Sequence, residues 1–260
     1  MQNQKPQRGS LGVVGLGPGA DGLLTDQVRA SLAGATDAFG YFPYVERLSG
    51  MAHLQLHASD NREELERARN ALNLASQGRR VLMLSSGDPG VFAMASAVFE
   101  VLDSATPQEL ECWSTVDIDV QPGITAMLAA AARLGAPLGH DFCAINLSDN
   151  LKPASVIERR IRLAAQADFA MAFYNPCSKL RPEGFERALK VLRSECEPQR
   201  LICFARNVSR EDETLLVLPL ESVSADMADM RTVVIVGNSQ TRQVGRHVYT
   251  PRSYGRLAKP

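Results

Sequence analysis

The sequence predicts an α/β protein of two domains, the first a mostly parallel sheet with helices on both faces and the second a mixed α/β sheet. Three observations carry this. In the first half, apolar runs of strand length alternate with amphipathic stretches of helical length, the pattern of successive strand–helix–strand units. In the second half the strand-like runs lie closer together, with fewer helices between them. Between the halves, Pro122-Gly123 punctuates the chain. The expected division is residues 1–121 with a flexible leader over 1–9, then residues 122–246, then a basic tail over 247–260.

The first apolar strand, Leu11 to Leu16, runs into Gly15-Leu16-Gly17-Pro18-Gly19-Ala20-Asp21-Gly22. A helix follows from about Thr25, which suits an N-cap, to Leu32. Ala38 to Tyr44 reads as a second strand. Residues 59–78 read as a helix, because Leu65, Ala68, Leu72 and Ala75 recur at helical spacing and Gly78 supplies a stop. The central unit is Val81-Leu82-Met83-Leu84, a turn of Ser85, Ser86, Gly87, Asp88, Pro89 and Gly90, and a helix over Val91 to Leu102. Asp88 suits the N-cap of that helix and Pro89 its first position, where the missing N–H costs nothing. Val116 to Val120 alternates as a strand, and Ile124 to Leu134 is an alanine-rich helix. Strands are then expected at 142–147, 169–174, 200–205, 214–219 and 232–237, with helices at 154–166 and 183–195.

Bulk properties exclude several function classes. Lys and Arg total 28 against 29 for Asp and Glu, so no broad electrostatic hold on nucleic acid or anionic membrane is expected. The five cysteines are odd in number and none is spaced C-x-x-C, which points to reduced thiols in a cytoplasmic protein. The polar start lacks a signal-peptide core, and no apolar run reaches the roughly 18 residues of a membrane span. His53, His57, His140 and His247 are scattered, so no metal site is expected.

Gly15-x-Gly17-x-x-Ala20 formally matches a dinucleotide-binding pattern, with Asp37 as a possible ribose partner. The context argues against it, since Pro18, Asp21 and Gly22 separate the glycines from the helix whose N-terminus should face a pyrophosphate. A Walker-type phosphate loop and a nucleophile elbow are absent. What remains is a set of polar, backbone-accessible loops at strand exits: Gly87-Asp88-Pro89, Thr125 after Gly123, Tyr174-Asn175-Pro176 and Arg206-Asn207-Val208. In parallel sheets, loops at carboxyl ends of strands line the ligand crevice. Such a set suits a neutral adenosine and amino-acid ligand held by many single hydrogen bonds, and group transfer by positioning.

Gly15-Leu16-Gly17-Pro18-Gly19, Ser86-Gly87-Asp88-Pro89 and Pro122-Gly123-Ile124-Thr125-Ala126, with the closing Thr232-Val233-Val234-Ile235-Val236-Gly237, resemble the tetrapyrrole (corrin/porphyrin) methylases in order and spacing over about residues 10–245. Leu147-Ser148-Asp149, Phe173 to Lys179 and Arg206-Asn207-Val208 resemble the branch that methylates a precorrin and contracts its ring. The resemblance implies a cytoplasmic homodimer using S-adenosyl-L-methionine on a precorrin-type tetrapyrrole. Carried over by position, Pro18, Gly87, Asp88, Pro89, Val91, Thr125, Ala126, Tyr174, Asn175, Val208 and Thr232 would touch the cofactor. Asp149, Ser148 and Lys179 are candidates to assist the contraction, and Lys179, Arg181 and Arg206 to meet substrate carboxylates. Rival readings are a methylase of the same fold acting at another macrocycle position, on a cobalt-loaded substrate or on diphthamide, a nicotinamide-dependent reductase and a non-catalytic tetrapyrrole carrier.

Overall fold

Every neighbouring pair of strands in the first sheet is parallel. The computed structural model describes residues 8–177 and 182–253, and the chain divides into two units, Met1–Thr125 and Ala126–Pro260. Strands β1 (Ser10–Gly15), β2 (Asp37–Tyr41), β3 (Gln55–Ser59), β4 (Arg80–Ser85) and β5 (Asp117–Gln121) lie in the order β3-β2-β4-β1-β5. β1 and β4 sit side by side in the middle and are buried on both faces, which is why both are nearly continuous apolar runs. Alternation along them feeds two cores. Leu11, Val13, Val81 and Met83 meet Ala68 and Leu72 of α3 (Glu64–Ser76) and Val98 of α4 (Met94–Asp103). Val14, Leu82 and Leu84 meet Val28 and Leu32 of α1 (Asp26–Gly34), whose N-cap Thr25 accepts the Val28 N–H at 3.3 Å.

Two short helices were not expected from periodicity. α2 (Phe42–Glu46) directly follows β2, and α5 (Pro107–Trp113) opens with a reciprocal capping box between Thr106 and Glu109. The long helix expected over 59–78 is shorter: Ser59 ends β3, and α3 begins at Glu64.

One polar cluster ties the other end of this sheet. Asp37, the first residue of β2, is fully buried. Its carboxylate accepts from Arg79 Nε at 2.7 Å and from Thr36 Oγ1 at 2.7 Å, and pairs with His57 Nε2 at 3.0 Å. Burial pushes this carboxyl up, but hydrogen bonds from Arg79, Thr36 and His57, with the Arg79 charge, outweigh it and hold it below its ordinary value.

The second unit comprises α6 (Ala126–Leu134), β6 (Gly135–Ala136), β7 (Phe142–Asn146), α7 (Ala154–Gln166), β8 (Ala170–Tyr174), α8 (Gly184–Glu195), β9 (Leu201–Arg206), β10 (Thr214–Pro219), β11 (Thr232–Val236), β12 (Arg242–Val244) and β13 (His247–Tyr249). Its main sheet runs β10-β9-β11-β8-β7; β7 and β8 are parallel and the other pairs antiparallel, the mixed sheet expected. Phe173, Phe204 and Val234 of the sheet pack with Ile161 of α7 and with Phe185, Leu189 and Leu192 of α8. A second, three-stranded sheet joins β12, β13 and β6. Residues 247–249, read from the sequence as part of a basic tail, therefore form a strand. Val248 is fully buried there and Thr250 Oγ1 donates to Pro137 O at 2.6 Å, contacts that the surrounding Arg, Gly and Pro composition masks. Among the described residues no helix is long and apolar enough to cross a membrane.

Candidate functional site

The carboxyl ends of β4, β1 and β5, three adjacent strands, are packed backbone on backbone. Gly17 N–H donates to Gly87 O at 3.2 Å and Gly87 N–H to Gly17 O at 2.9 Å, with both glycines at positive φ, 66° and 64°. A Cβ on Gly15 would stand 2.5 Å from Gly87 O and 2.7 Å from Gly123 N, so no side chain fits there. The loops after β1, β4 and β5 thus form one continuous shelf of main-chain groups.

Asp88 fastens this shelf, in a manner local rules do not anticipate. The expectation that it caps the following helix is overturned. α4 begins only at Met94, after Ala93, and the Met94 N–H donates to the buried Ser85 Oγ at 3.2 Å. Pro89 accordingly precedes the helix, where its carbonyl accepts from Ala95 N–H at 3.0 Å. Asp88 Oδ1 accepts from Gly90 N–H at 2.8 Å within its own loop, and Oδ2 accepts from Gly123 N–H at 3.0 Å in the loop after β5. Charge-assisted bonds to backbone N–H groups are stronger than neutral ones. Arg47, just past α2, donates to Leu16 O at 3.1 Å and Gly19 O at 3.2 Å, holding the first glycine loop from outside. No sequence motif flags Arg47.

Pro18, Gly87, Pro89 and Thr125 are buried, and Asp88 and Val91 half-buried, all in the first unit. The nicotinamide reading finds no support. A 3-10 turn at Asp21–Leu23 separates the glycines from α1. Asp37, sought as a ribose partner, lies at the amino end of β2, away from the loops, with its carboxylate fully engaged.

In the second unit, antiparallel pairing brings the carboxyl ends of β7, β8 and β9 and the amino end of β11 to one end of the sheet. Tyr174 OH accepts the Met127 N–H at 2.9 Å, in the first turn of α6, where Ala126 is the first residue. Asn175 has φ 52° and its Nδ2 donates to Asn146 Oδ1 at 3.1 Å. Val208 is buried between Asn207 and Ser209, both at positive φ. Thr232 is buried, and its Oγ1 donates to Asp229 Oδ1 at 2.7 Å. Burial pushes the Asp229 carboxyl up, but Thr232, Arg206 and the Arg231 N–H outweigh that and lower it.

The polar candidates are differently placed. Arg206 Nε pairs with Asp229 Oδ2 at 2.9 Å, so a substrate carboxylate would compete with this partner. Asp149 Oδ2 pairs with Arg187 Nη2 of α8 at 2.9 Å. Ser148 N–H donates to Asn146 Oδ1 at 3.0 Å, tying its loop to the β7 exit. Lys179 and Arg181 lie outside the described residues. No group of three or more His, Cys, Asp or Glu that could hold a metal ion occurs among the described residues. Cys203 is buried, which pushes its thiol up to about 12. The arrangement offers main-chain donors and acceptors with one fastening carboxylate, chemistry suited to positioning a neutral polar ligand.

Comparison with known proteins points the same way. The model of the family Tetrapyrrole (Corrin/Porphyrin) Methylases matches residues 10–224. A precorrin-3B C(17)-methyltransferase of Sinorhizobium sp is 51% identical over 251 residues, covering 95% of this chain and 97% of that protein. A probable cobalt-factor III C(17)-methyltransferase of Salmonella typhimurium is 36% identical over 94% of this chain and 99% of its own length. The crystal structure of the methyltransferase CobJ superposes with a TM-score of 0.89 at 58% identity, covering 94% of this chain and 100% of that one.

Proposed function

The chain belongs to the tetrapyrrole (corrin/porphyrin) methylases, and on that premise we propose that it methylates precorrin-3B at C-17 with S-adenosyl-L-methionine, contracting the ring to give precorrin-4. The observation that carries the donor reading is the shelf formed by Gly15, Gly17, Gly87 and Gly123, fastened by Asp88. Glycine at these positions lets a ligand approach bare backbone. Gly87, Asp88, Pro89, Val91, Pro18 and Thr125 of the first unit would hold the donor. Bound there, the donor supplies an electrophilic methyl group. An electron-rich macrocycle carbon needs no protein nucleophile to accept it, so these residues act by orienting the donor and excluding water. Asp149 and Ser148 stand beside the β7 exit with partners that fix their orientation, and we assign neither the proton transfer of ring contraction.

A second reading, a cobalt-loaded substrate, is supported by the similarity to the Salmonella protein. The higher identity to the Sinorhizobium enzyme favours the metal-free one. The family resemblance further supports a cytoplasmic homodimer, for which sedimentation should give a particle of two chains.

Calorimetric titration with S-adenosyl-L-homocysteine tests the donor site. Saturable binding is expected, weakened about tenfold or more in Asp88→Ala, which loses charge-assisted bonds of about 1.5–3 kcal/mol. Thr125→Val should weaken it less. Turnover should then give precorrin-4 from precorrin-3B, identified by mass spectrometry, and faster than from a cobalt-loaded substrate. Absence of binding in the unmodified protein would reject the donor site.

A further inference from the structure

Phe92 carries two costs at once. Its backbone sits at φ 53°, the left-handed region where the Cβ of an L-residue crowds its own backbone. Among the described residues, the other non-glycine positions there are Asp168, Asn175, Asn207 and Ser209, all small and polar. A bulky aromatic in this region is a true outlier. Its ring is also 49% exposed, although Pro89 and Met94 on either side are buried.

The strain is imposed by the anchors around it. Upstream, Gly87 is bridged to Gly17, Asp88 is fixed through both carboxylate oxygens, and Val91 N–H donates to Asp88 O at 3.2 Å. Downstream, Met94 N–H is held by Ser85 Oγ, and Ala95 N–H by Pro89 O. A glycine or asparagine would serve this turn with less strain, and an exposed polar group would suit solvent better. Backbone strain that persists in an over-determined loop clusters at ligand sites.

We propose that Phe92 is a specificity-determining residue whose ring packs against the flat, conjugated methyl acceptor. The inference rests on the donor reading above and extends it to the second ligand. Gly87 and Pro89 are buried, whereas Phe92, farther along the same loop, is half-exposed. A large macrocycle presents a face wide enough to meet such a ring; a small donor is met by the buried residues. The wide apolar face of the ring matches a tetrapyrrole face in chemistry, and offset stacking is the geometry such pairs prefer.

The test compares Phe92→Gly, Phe92→Ala and Phe92→Tyr in the full chain, by melting temperature, S-adenosyl-L-homocysteine Kd, and kcat and KM for the tetrapyrrole at saturating donor. Phe92→Gly should melt above Phe92→Ala and no lower than the unmodified protein, since it relieves the left-handed strain. Both should raise the tetrapyrrole KM about tenfold while leaving kcat within about threefold, the mark of lost ground-state binding. Donor Kd should be unchanged, and Phe92→Tyr should keep the unmodified KM. An unchanged KM in Phe92→Gly would overturn the proposal. So would a weakened donor Kd with unchanged KM, which would give the ring to adenine instead. If the unmodified protein binds no S-adenosyl-L-homocysteine, the donor reading falls and takes this one with it; binding with unaltered variants rejects the role of Phe92 alone.

Discussion

The variant Gly123→Ala is expected to lose donor binding and to fall by about a hundredfold or more in turnover, because small misplacements at a reacting site cost that much. The new Cβ would stand 2.8 Å from Gly15 O and closer still to Gly87 O. Both obstacles are main chain at the ends of the central strands, so neither can swing aside as a side-chain tip would. The loop after β5 must move outward, which breaks the bond from Gly123 N–H to Asp88 and opens the shelf. Gly22→Ala is the matched control: nothing lies within 4 Å of its Cβ, and it should retain unmodified activity. Calorimetry with S-adenosyl-L-homocysteine reads the first effect and steady-state kinetics the second. Equal binding in the two variants would show that the backbone packing has no part in holding the donor.

Asp37→Ala is expected to destabilise the first unit by about 3 kcal/mol, the order seen when one partner of a buried charge network is removed. The carboxylate links Thr36 and its own strand to His57 of β3 and to Arg79, just before β4. Its loss leaves Arg79 half-exposed and able to hydrate, which keeps the cost from rising further. The pH dependence follows from the lowered folded-state value of this carboxyl. A carboxyl lowered on folding contributes in full above its unfolded value of about 3.9, and the contribution fades as pH falls through the folded value. The stability gap between the unmodified protein and Asp37→Ala should therefore be constant near neutrality and narrow below about pH 4. Urea denaturation across that range measures it, and a gap that held its size in acid would count against the network.

Legibility in the sequence followed the range of the interactions. β4 and β11 are readable because burial on both faces demands unbroken apolar runs, and Thr25 because capping is decided within four residues. β3 escapes notice: Gln55-Leu56-His57-Ala58-Ser59 has no β-branched residue, and its strand form comes from pairing along β2. α5 carries a readable capping box, but its seven residues are too few for periodicity to speak. At the site, the glycine loops and Gly87-Asp88-Pro89 announce themselves by composition. The true partner of Asp88 does not, since Gly123 lies 35 positions away and the nearer helix offers a plausible but incorrect target. Arg47 reaches 31 positions back to Leu16 O, and nothing local marks it.

The small sheet has a consequence for how the chain is made. β6 directly follows α6, yet its partner β13 pairs at Val248↔Gly135 and Tyr249↔Ala136, and Thr250 reaches Pro137 across 113 positions. At about 5–20 residues per second, synthesis leaves that edge unsatisfied for on the order of ten seconds after it emerges from the ribosome. A segment translated 113 positions after Pro137 is thus the clasp of this small sheet. Chains released early, short of residue 247, would expose an unpaired strand and a vacated apolar seat for Val248 to the proteases that police nascent proteins.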